Sequence, residues 1–379
     1  MMSSKICERF GIDFPLFAFS HCRDVVVEVS RAGGLGIFGA AGMSAEQLET
    51  ELSWIDERLD GKPYGLDLLI PDNVVGKEES FQPDRLLEAI PRGHIEYTEG
   101  ILRGQGIDAV GLDKGREEAL FIGRNLHPSG AEASMDVAFR HPIRLIANAL
   151  GVPPDSMLKQ AKSKDVAVAA LVGAKEHALR QAKAGVDIIV AAGGEAGGHC
   201  GVVPTMVLIP EVAEVLEEYP EVALLGAGGI VTGRQMAATM AMGAAGVWTA
   251  SVWLTTPEAE TNPIVKTKMI EATSRDTVRS KSRTGKPSRQ LRSLWTDAWE
   301  ATEAPEPLPM PLQSLVSHPA LAKVDKLSQS GHEGAQDLAT YWVGQGVGLM
   351  NSERPVRAVV EEFKIDFVKA YDRLSYFLE

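Results

Sequence analysis

The sequence predicts a (β/α)₈ barrel with a C-terminal helical cap, and three observations point there. Eight short apolar, β-branched runs alternate with helix-like segments, over about 240 residues, the span such a barrel occupies. Each run is apolar throughout rather than alternating, as parallel strands covered on both faces are. Glycine and polar residues gather where the runs end, at the face where such barrels bind ligands. An open doubly wound sheet is the rival architecture, but no GxGxxG follows the first run.

Taken in order, residues 15–20 (PLFAFS) form the first strand, and 24–31 a helix stopped by Gly33 and Gly34. The second strand is 35–40; Ser44 then caps a helix through Leu59 with Glu46 and Gln47 in its first turn. The third strand, 64–70, is closed by Pro71. An excursion at 72–140 follows, too long for an ordinary connection, with helix expected at 84–90 and 117–121. It reads either as a lid or as a surface insertion. Regularity returns with strands at 143–149, 166–172 and 187–192, each followed by a helix, at 155–163, 175–184 and 209–219. A strand at 222–225, a helix at 232–242 and a strand at 246–253 complete the barrel, so the barrel unit spans 1–254. Residues 255–379 read as a helical cap on the barrel mouth, ending in an amphipathic helix at 354–378. The basic stretch 275–292 within it is a solvated face or a cation source for a phosphate-bearing substrate.

The chain has 379 residues, 45% apolar, and a formal charge of −13. That composition is ample for a large core, and the charge disfavours nucleic acid and anionic membrane as partners. Three cysteines without a CxxC or a His-rich partner give neither a disulfide framework nor a zinc set. No long apolar leader or membrane span is visible, so a soluble cytoplasmic protein is expected.

The chemistry concentrates at 185–201, GVDIIVAAGGEAGGHCG. A buried strand breaks into five glycines within nine residues, among which stand Glu195, His199 and Cys200. Glycine lets backbone adopt positive φ and approach a ligand closely. Glu195 reads first as a cap for the following turn or a partner for a nearby Arg, ahead of a catalytic role. A Cys200–His199 nucleophile pair is disfavoured because adjacent residues on extended chain point apart. An imidazole delivered on such a loop reads as functional. Further on, the glycine turn 226–229 between strand and helix suits a phosphate, with Thr249 and Ser251 offering hydroxyls from the last strand.

The GGEAGGHCG segment resembles the EAGGH signature of the nitronate monooxygenase family, once called 2-nitropropane dioxygenases, FMN-dependent (β/α)₈ barrels. AGGLGIFGAAGMS, GAGGIVTGRQMAATMAMGA, GKPSRQLRS and GQGVGLM support the likeness, which covers most of the chain outside 72–140. The resemblance implies that His199 is the catalytic base. It implies flavin contacts at Ala18, Phe19, Ser20, Asp67, Gly197, Gly228, Gly229, Trp248, Thr249, Ala250 and Ser251. Several of these depart from the family pattern: Asp67 stands for Asn, Phe19-Ser20 for Pro-Met, Trp-Thr-Ala-Ser for Gln-x-Gly-Thr, and Ala192 for Gln. An ionised Asp67 would disfavour a negatively charged reduced flavin. The implied reaction is oxidation of a nitronate by O₂ to a carbonyl compound and nitrite. The alternative is an FMN-dependent reductase or dehydrogenase using NAD(P)H on an enoyl or other acyl-thioester, or on a quinone. A flavin-binding sensor without turnover is the non-enzymatic reading. A homodimer is compatible with the sequence.

Overall fold

The computed structural model describes residues 4–70, 82–125, 128–149 and 151–377. Pro71 and the start of the excursion lie outside the described residues, as does Leu378 at the end of the last expected helix. Eight parallel strands close a barrel: β1 (Leu16–Ser20), β2 (Leu35–Gly39), β3 (Tyr64–Leu68), β4 (Leu145–Asn148), β5 (Ala167–Val172), β6 (Ile188–Ala192), then β8 (Ala223–Ala227) and β9 (Gly246–Thr249), which returns to pair with β1. A separate antiparallel sheet joins β7 (Gly198–His199), β10 (Thr277–Ser280) and β11 (Ser288–Leu291), in the order β10-β11-β7.

Alternation along each strand divides two cores. Phe17, Ile37, Leu145, Ala169, Val190, Leu225 and Trp248 meet inside the barrel. Tyr64, Leu66 and Leu68 of β3 face the surrounding helices, so Asp67 between them faces inward. The short helix Lys5–Phe10 contributes Ile6, Cys7 and Phe10 to the inner cluster, with Phe10 edge-on to Phe17 at 5.4 Å.

The excursion is helical: Pro83–Glu88, Arg92–Gly104, Leu112–Asn125 and Pro128–Ala138. Pro128–Ala138 packs on the helix Ala45–Asp56 in the barrel's outer ring, while Arg92–Gly104 and Leu112–Asn125 pack against Leu312–Gln329. Excursion and C-terminal segment therefore share one core, in which Leu102, Leu112 and Leu120 meet Leu315, Val316, Trp295 and Trp299. Two of these helices escape the sequence reading because glycines at 93, 100, 104 and 130 interrupt their pattern.

The structure divides 255–379 differently from a purely helical cap. Its basic stretch is the β10–β11 hairpin, bonded to the glycine-rich loop through β7. Its last helix, Val356–Ser375, lies against Gly233–Ala241 and Arg23–Arg31, the gap between the seventh and first barrel helices. An amphipathic stripe looks the same whether it covers a mouth or a flank. The helix after β6 runs Thr205–Leu216, four residues earlier than expected, because a distant carboxylate caps it. The last barrel strand stops at Thr249, and Ser251–Thr255 turns into a 3₁₀ helix. Among the described residues no helix is long and apolar enough to cross a membrane.

Phe363 on the closing helix is 1% exposed and stacks on Trp253 at 6.4 Å. Phe363→Ala should cost about 3–5 kcal/mol in urea unfolding, the usual range for a buried aromatic. Tyr371→Ala, on the exposed side of the same helix, should stay within about 0.5 kcal/mol. Equal effects would show that the helix is not seated as described.

Candidate active site

The loop leaving β6 is held by its own carboxylate. Glu195 Oε2 accepts hydrogen bonds from Thr205 N and Thr205 Oγ1, both 2.8 Å. Glu195 thus caps the helix after β6, one of the two structural roles the residue pattern leaves open. The Thr205 hydroxyl also lies 3.0 Å from Gly228 O, tying this loop to the turn after β8. Cys200 Sγ donates towards Gly194 O at 3.7 Å and forms no pair with the neighbouring imidazole.

His199 stands on β7 opposite Ser288, with Gly198 opposite Arg289. Its Nε2 is 3.4 Å from Thr284 Oγ1 in the hairpin turn. The ring keeps a solvent-exposed edge. Crowding by protein on its other flank, and then the Lys286 ammonium, hold its pKa below the ordinary imidazole value. At neutral pH the imidazole is therefore predominantly the free base.

The turn after β8 is a cradle. Gly228 and Gly229 have φ of +102° and +69°, conformations that glycine adopts without strain. Among the described residues their amides donate to nothing, and both glycines are partly accessible. The Thr232-capped helix Gly233–Ala241 follows. Opposite stand the exposed Ala250 and the half-buried Ser251, whose Oγ accepts from Gly344 N at 2.9 Å and keeps its own proton to donate. Thr249 differs: its hydroxyl is spent on Phe17 O at 3.2 Å and Trp253 Nε1 at 3.1 Å. Free amides, a helix N-terminus and a hydroxyl fit a phosphate.

At the barrel rim, Ala18 is fully buried among the outer residues, so it can offer a ligand only its backbone. Phe19 stacks with Trp248 at 6.4 Å and meets His21 edge-on at 5.0 Å; Ser20 ends β1 and accepts from Cys22 N at 3.0 Å. Asp67 is 5% exposed, and its carboxyl makes no hydrogen bond or ion pair among the described residues. Desolvation raises its pKa well above the carboxylate range and favours the neutral acid. A neutral carboxyl carries an O–H donor where an amide would carry N–H, which removes the electrostatic objection to aspartate there. Gly197 packs against the Val343–Gly344 backbone. The phosphate cradle, Gly197 and Ser251 thus form one neighbourhood, and Phe19, Trp248 and Asp67 line the barrel interior. His199 sits on the hairpin sheet beside them, with no described contact to either group.

Sequence reasoning misses Arg283 and Trp342. The Arg283 guanidinium lies 4.9 Å over Trp342, donates to Gln290 Oε1 at 3.1 Å, and has its pKa pulled down to about 10 by burial. Trp342 Nε1 donates to Ser288 Oγ at 3.2 Å, beneath His199. Arg283 lies in the turn between the hairpin strands TVRS and SRQL and Trp342 lies about fifty residues beyond SRQL, so no local pattern pairs them. Cys22, Asp24 and Glu260 bring ligand atoms within 4.8 Å of one another, a grouping invisible in linear spacing. Burial raises the Cys22 thiol's pKa, and Sγ donates to Glu258 O at 3.0 Å, so the protonated form is favoured there.

Asp67→Asn tests the buried acid. The folded state holds the carboxyl neutral, so ionisation in the unfolded chain costs stability as pH rises above about 3.9, by about 1.4 kcal/mol per unit of pKa displacement. The variant should match the parent near pH 4 and melt higher at pH 7–8. A parent that gains stability relative to the variant as pH rises would mean that Asp67 is ionised and paired.

The nitronate monooxygenase family profile matches residues 8–366. A Mycobacterium tuberculosis protein with a provisional monooxygenase description is 50% identical over 376 residues, 99% of each chain. A Staphylococcus saprophyticus protein provisionally described as a nitronate monooxygenase is 25% identical, covering 92% of this chain and 93% of its own. Among solved structures, nitroalkane oxidase from Streptomyces ansochromogenes aligns with a TM-score of 0.78 at 21% identity, over 98% of this chain and 100% of its own. FabK from Thermotoga maritima aligns at 0.71 and 22%, over the whole of both chains; these two likenesses speak for the fold. With a profile spanning nearly its whole length and a half-identical relative, this chain belongs to the nitronate monooxygenase family.

Proposed function

We propose that the protein is an FMN-dependent oxidoreductase that converts alkyl nitronates and O₂ to a carbonyl compound and nitrite, with His199 as base. The observation that carries the reading is an exposed residue with a lowered imidazole pKa, His199, on the glycine loop, a loop that Glu195 and Thr205 tie to a turn with unpartnered amides. Gly228, Gly229 and Ser251 would hold the FMN phosphate, and Phe19, Asp67 and Trp248 would border its ring. When bound, the flavin supplies the electron transfer.

The chain's own task is proton transfer and charge. His199 Nε2 would accept the α-proton of a neutral nitroalkane. Burial, and after it the Lys286 ammonium, lowers the pKa of that imidazole, and the ammonium would favour the anionic nitronate that results. Neutral Asp67 would donate rather than repel at the flavin. A second reading, an NAD(P)H-dependent enoyl-thioester reductase, draws on the Phe19–Trp248 stack, which replaces the family's Pro and Gln, and on the likeness to FabK and to the enoyl reductase domain of MlnA.

Heat-released flavin should be FMN in stoichiometric amount; FAD, or no flavin after reconstitution, defeats the proposal. Gly228→Asp should abolish retention, since a carboxylate there meets Thr205 Oγ1, 2.7 Å from the Cβ position, and repels a phosphate. His199→Asn should keep the flavin while turnover of a neutral nitroalkane falls about 10²–10⁴-fold. A preformed nitronate, having already lost its proton, should suffer far less. Undiminished nitroalkane turnover would falsify the base assignment. The pH midpoint for nitroalkane turnover should lie below that of a free imidazole, and Lys286→Ala should move it upward by removing a like charge. A downward move contradicts the electrostatic account.

A further inference from the structure

The basic stretch is only partly a solvated face. A cavity of about 250 Å³ opens between the β10–β11 hairpin and the glycine loop, and Arg279, Arg289, Gln345, Glu195, Gly201 and Val202 border it. Every partner the two guanidinium groups have is neutral. Arg289 donates to Gly194 O at 3.0 and 2.8 Å and to Thr277 Oγ1 at 3.1 Å; Arg279 donates to Cys200 O at 3.1 Å. Arg279 Nε is buried without any partner. The single bordering carboxylate, Glu195, is already engaged by Thr205, so the cavity carries a net positive charge. Both arginines are half-buried without a counter-charge among the described residues, and a guanidinium fork matches phosphoryl oxygens. Val202 at the rim is 72% exposed, and Met206, in the first turn of the helix that follows, is 68% exposed, apolar surface leading away from a cationic recess.

We propose that this cavity binds a phosphoryl group on the substrate or cosubstrate, whose less polar part runs over Val202 and Met206. Two guanidinium groups offer more donors than a lone carboxylate can accept, and the volume exceeds what a carboxylate fills. Glu195 borders the cavity and also lies beside Gly229, its Cβ 3.1 Å from where a Gly229 Cβ would be, so the recess and the glycine cradle are neighbours with separate donors. The inference rests on the hairpin cavity and stands whether or not nitronates are turned over.

Calorimetric titration of the purified chain with 4′-phosphopantetheine, NADP⁺ and inorganic pyrophosphate tests it, with flavin content measured for each variant. At least one organophosphate should bind. Arg279→Gln should weaken it tenfold or more, and Gln345→Glu, which leaves both arginines but adds an anion, should do the same with flavin content unchanged. The second variant stands in should the first fail to fold. Binding of 4′-phosphopantetheine assigns the site to carrier-linked acyl substrates, and binding of NADP⁺ to a nucleotide. The proposal is overturned if pyrophosphate alone binds (an adventitious ion only), if no probe binds, if the variants bind like the parent, or if they lose flavin, which would give the cavity to the cofactor.

Discussion

The arrangement depends on one close backbone contact. Gly197 of the signature loop lies against the chain at 343–344: a Cβ on Gly197 would sit 2.8 Å from Gly344 N, and one on Gly344 would sit 2.6 Å from Glu195 O. Gln345 N then donates to Glu195 O at 2.9 Å, and Gly344 N to Ser251 Oγ at 2.9 Å. Through this contact a loop from the sixth barrel strand, the turn after the last one, and a segment nearly at the end of the chain are held as one body. No side chain could serve as spacer there, since real Cβ atoms do not approach so closely, and interiors have little slack to give. The loop's glycines permit this docking as well as any approach to a ligand.

On that frame the site separates three electrostatic environments by position. Burial in the barrel interior raises the pKa of Asp67 and favours its neutral form. Burial, and then the Lys286 ammonium of the hairpin, lowers the imidazole pKa at His199. The glycine cradle offers uncharged amide dipoles. In the proposed reading these three environments would serve the ring, the proton transfer and the phosphate respectively. The β10–β11 hairpin is what makes the second environment, supplying Thr284, Lys286 and Arg289 around β7.

Much of this is legible in the residues. The barrel strands fall within a few positions of their expected places because a fully buried parallel strand is an unbroken apolar run. The Ser44 capping box marks its helix because the signal is local. What could not be read is tertiary. Thr205–Leu216 begins early because Glu195, ten residues upstream, caps it. The hairpin hides in a stretch whose charge suggests surface, since Arg279 and Arg289 spend their donors on backbone carbonyls that only the fold brings near. Thr249 and Ser251 look equivalent in sequence, yet the strand ends at Thr249, whose hydroxyl bonds Phe17 O, and the turn into the 3₁₀ helix leaves Ser251 at the rim. The state of Asp67 follows from burial, which no spacing records.

The account's central claim is that the protein's reaction starts with a nitronate and needs no pyridine nucleotide. Anaerobic stopped-flow mixing of the flavin-loaded protein with an alkyl nitronate, with NADH and with NADPH tests it most directly, followed by flavin absorbance. The account predicts bleaching by the nitronate alone, and recovery of the oxidised spectrum with release of nitrite when oxygen is admitted. Rapid bleaching by NADH or NADPH, with none by the nitronate, would contradict it and assign the site to reductase chemistry.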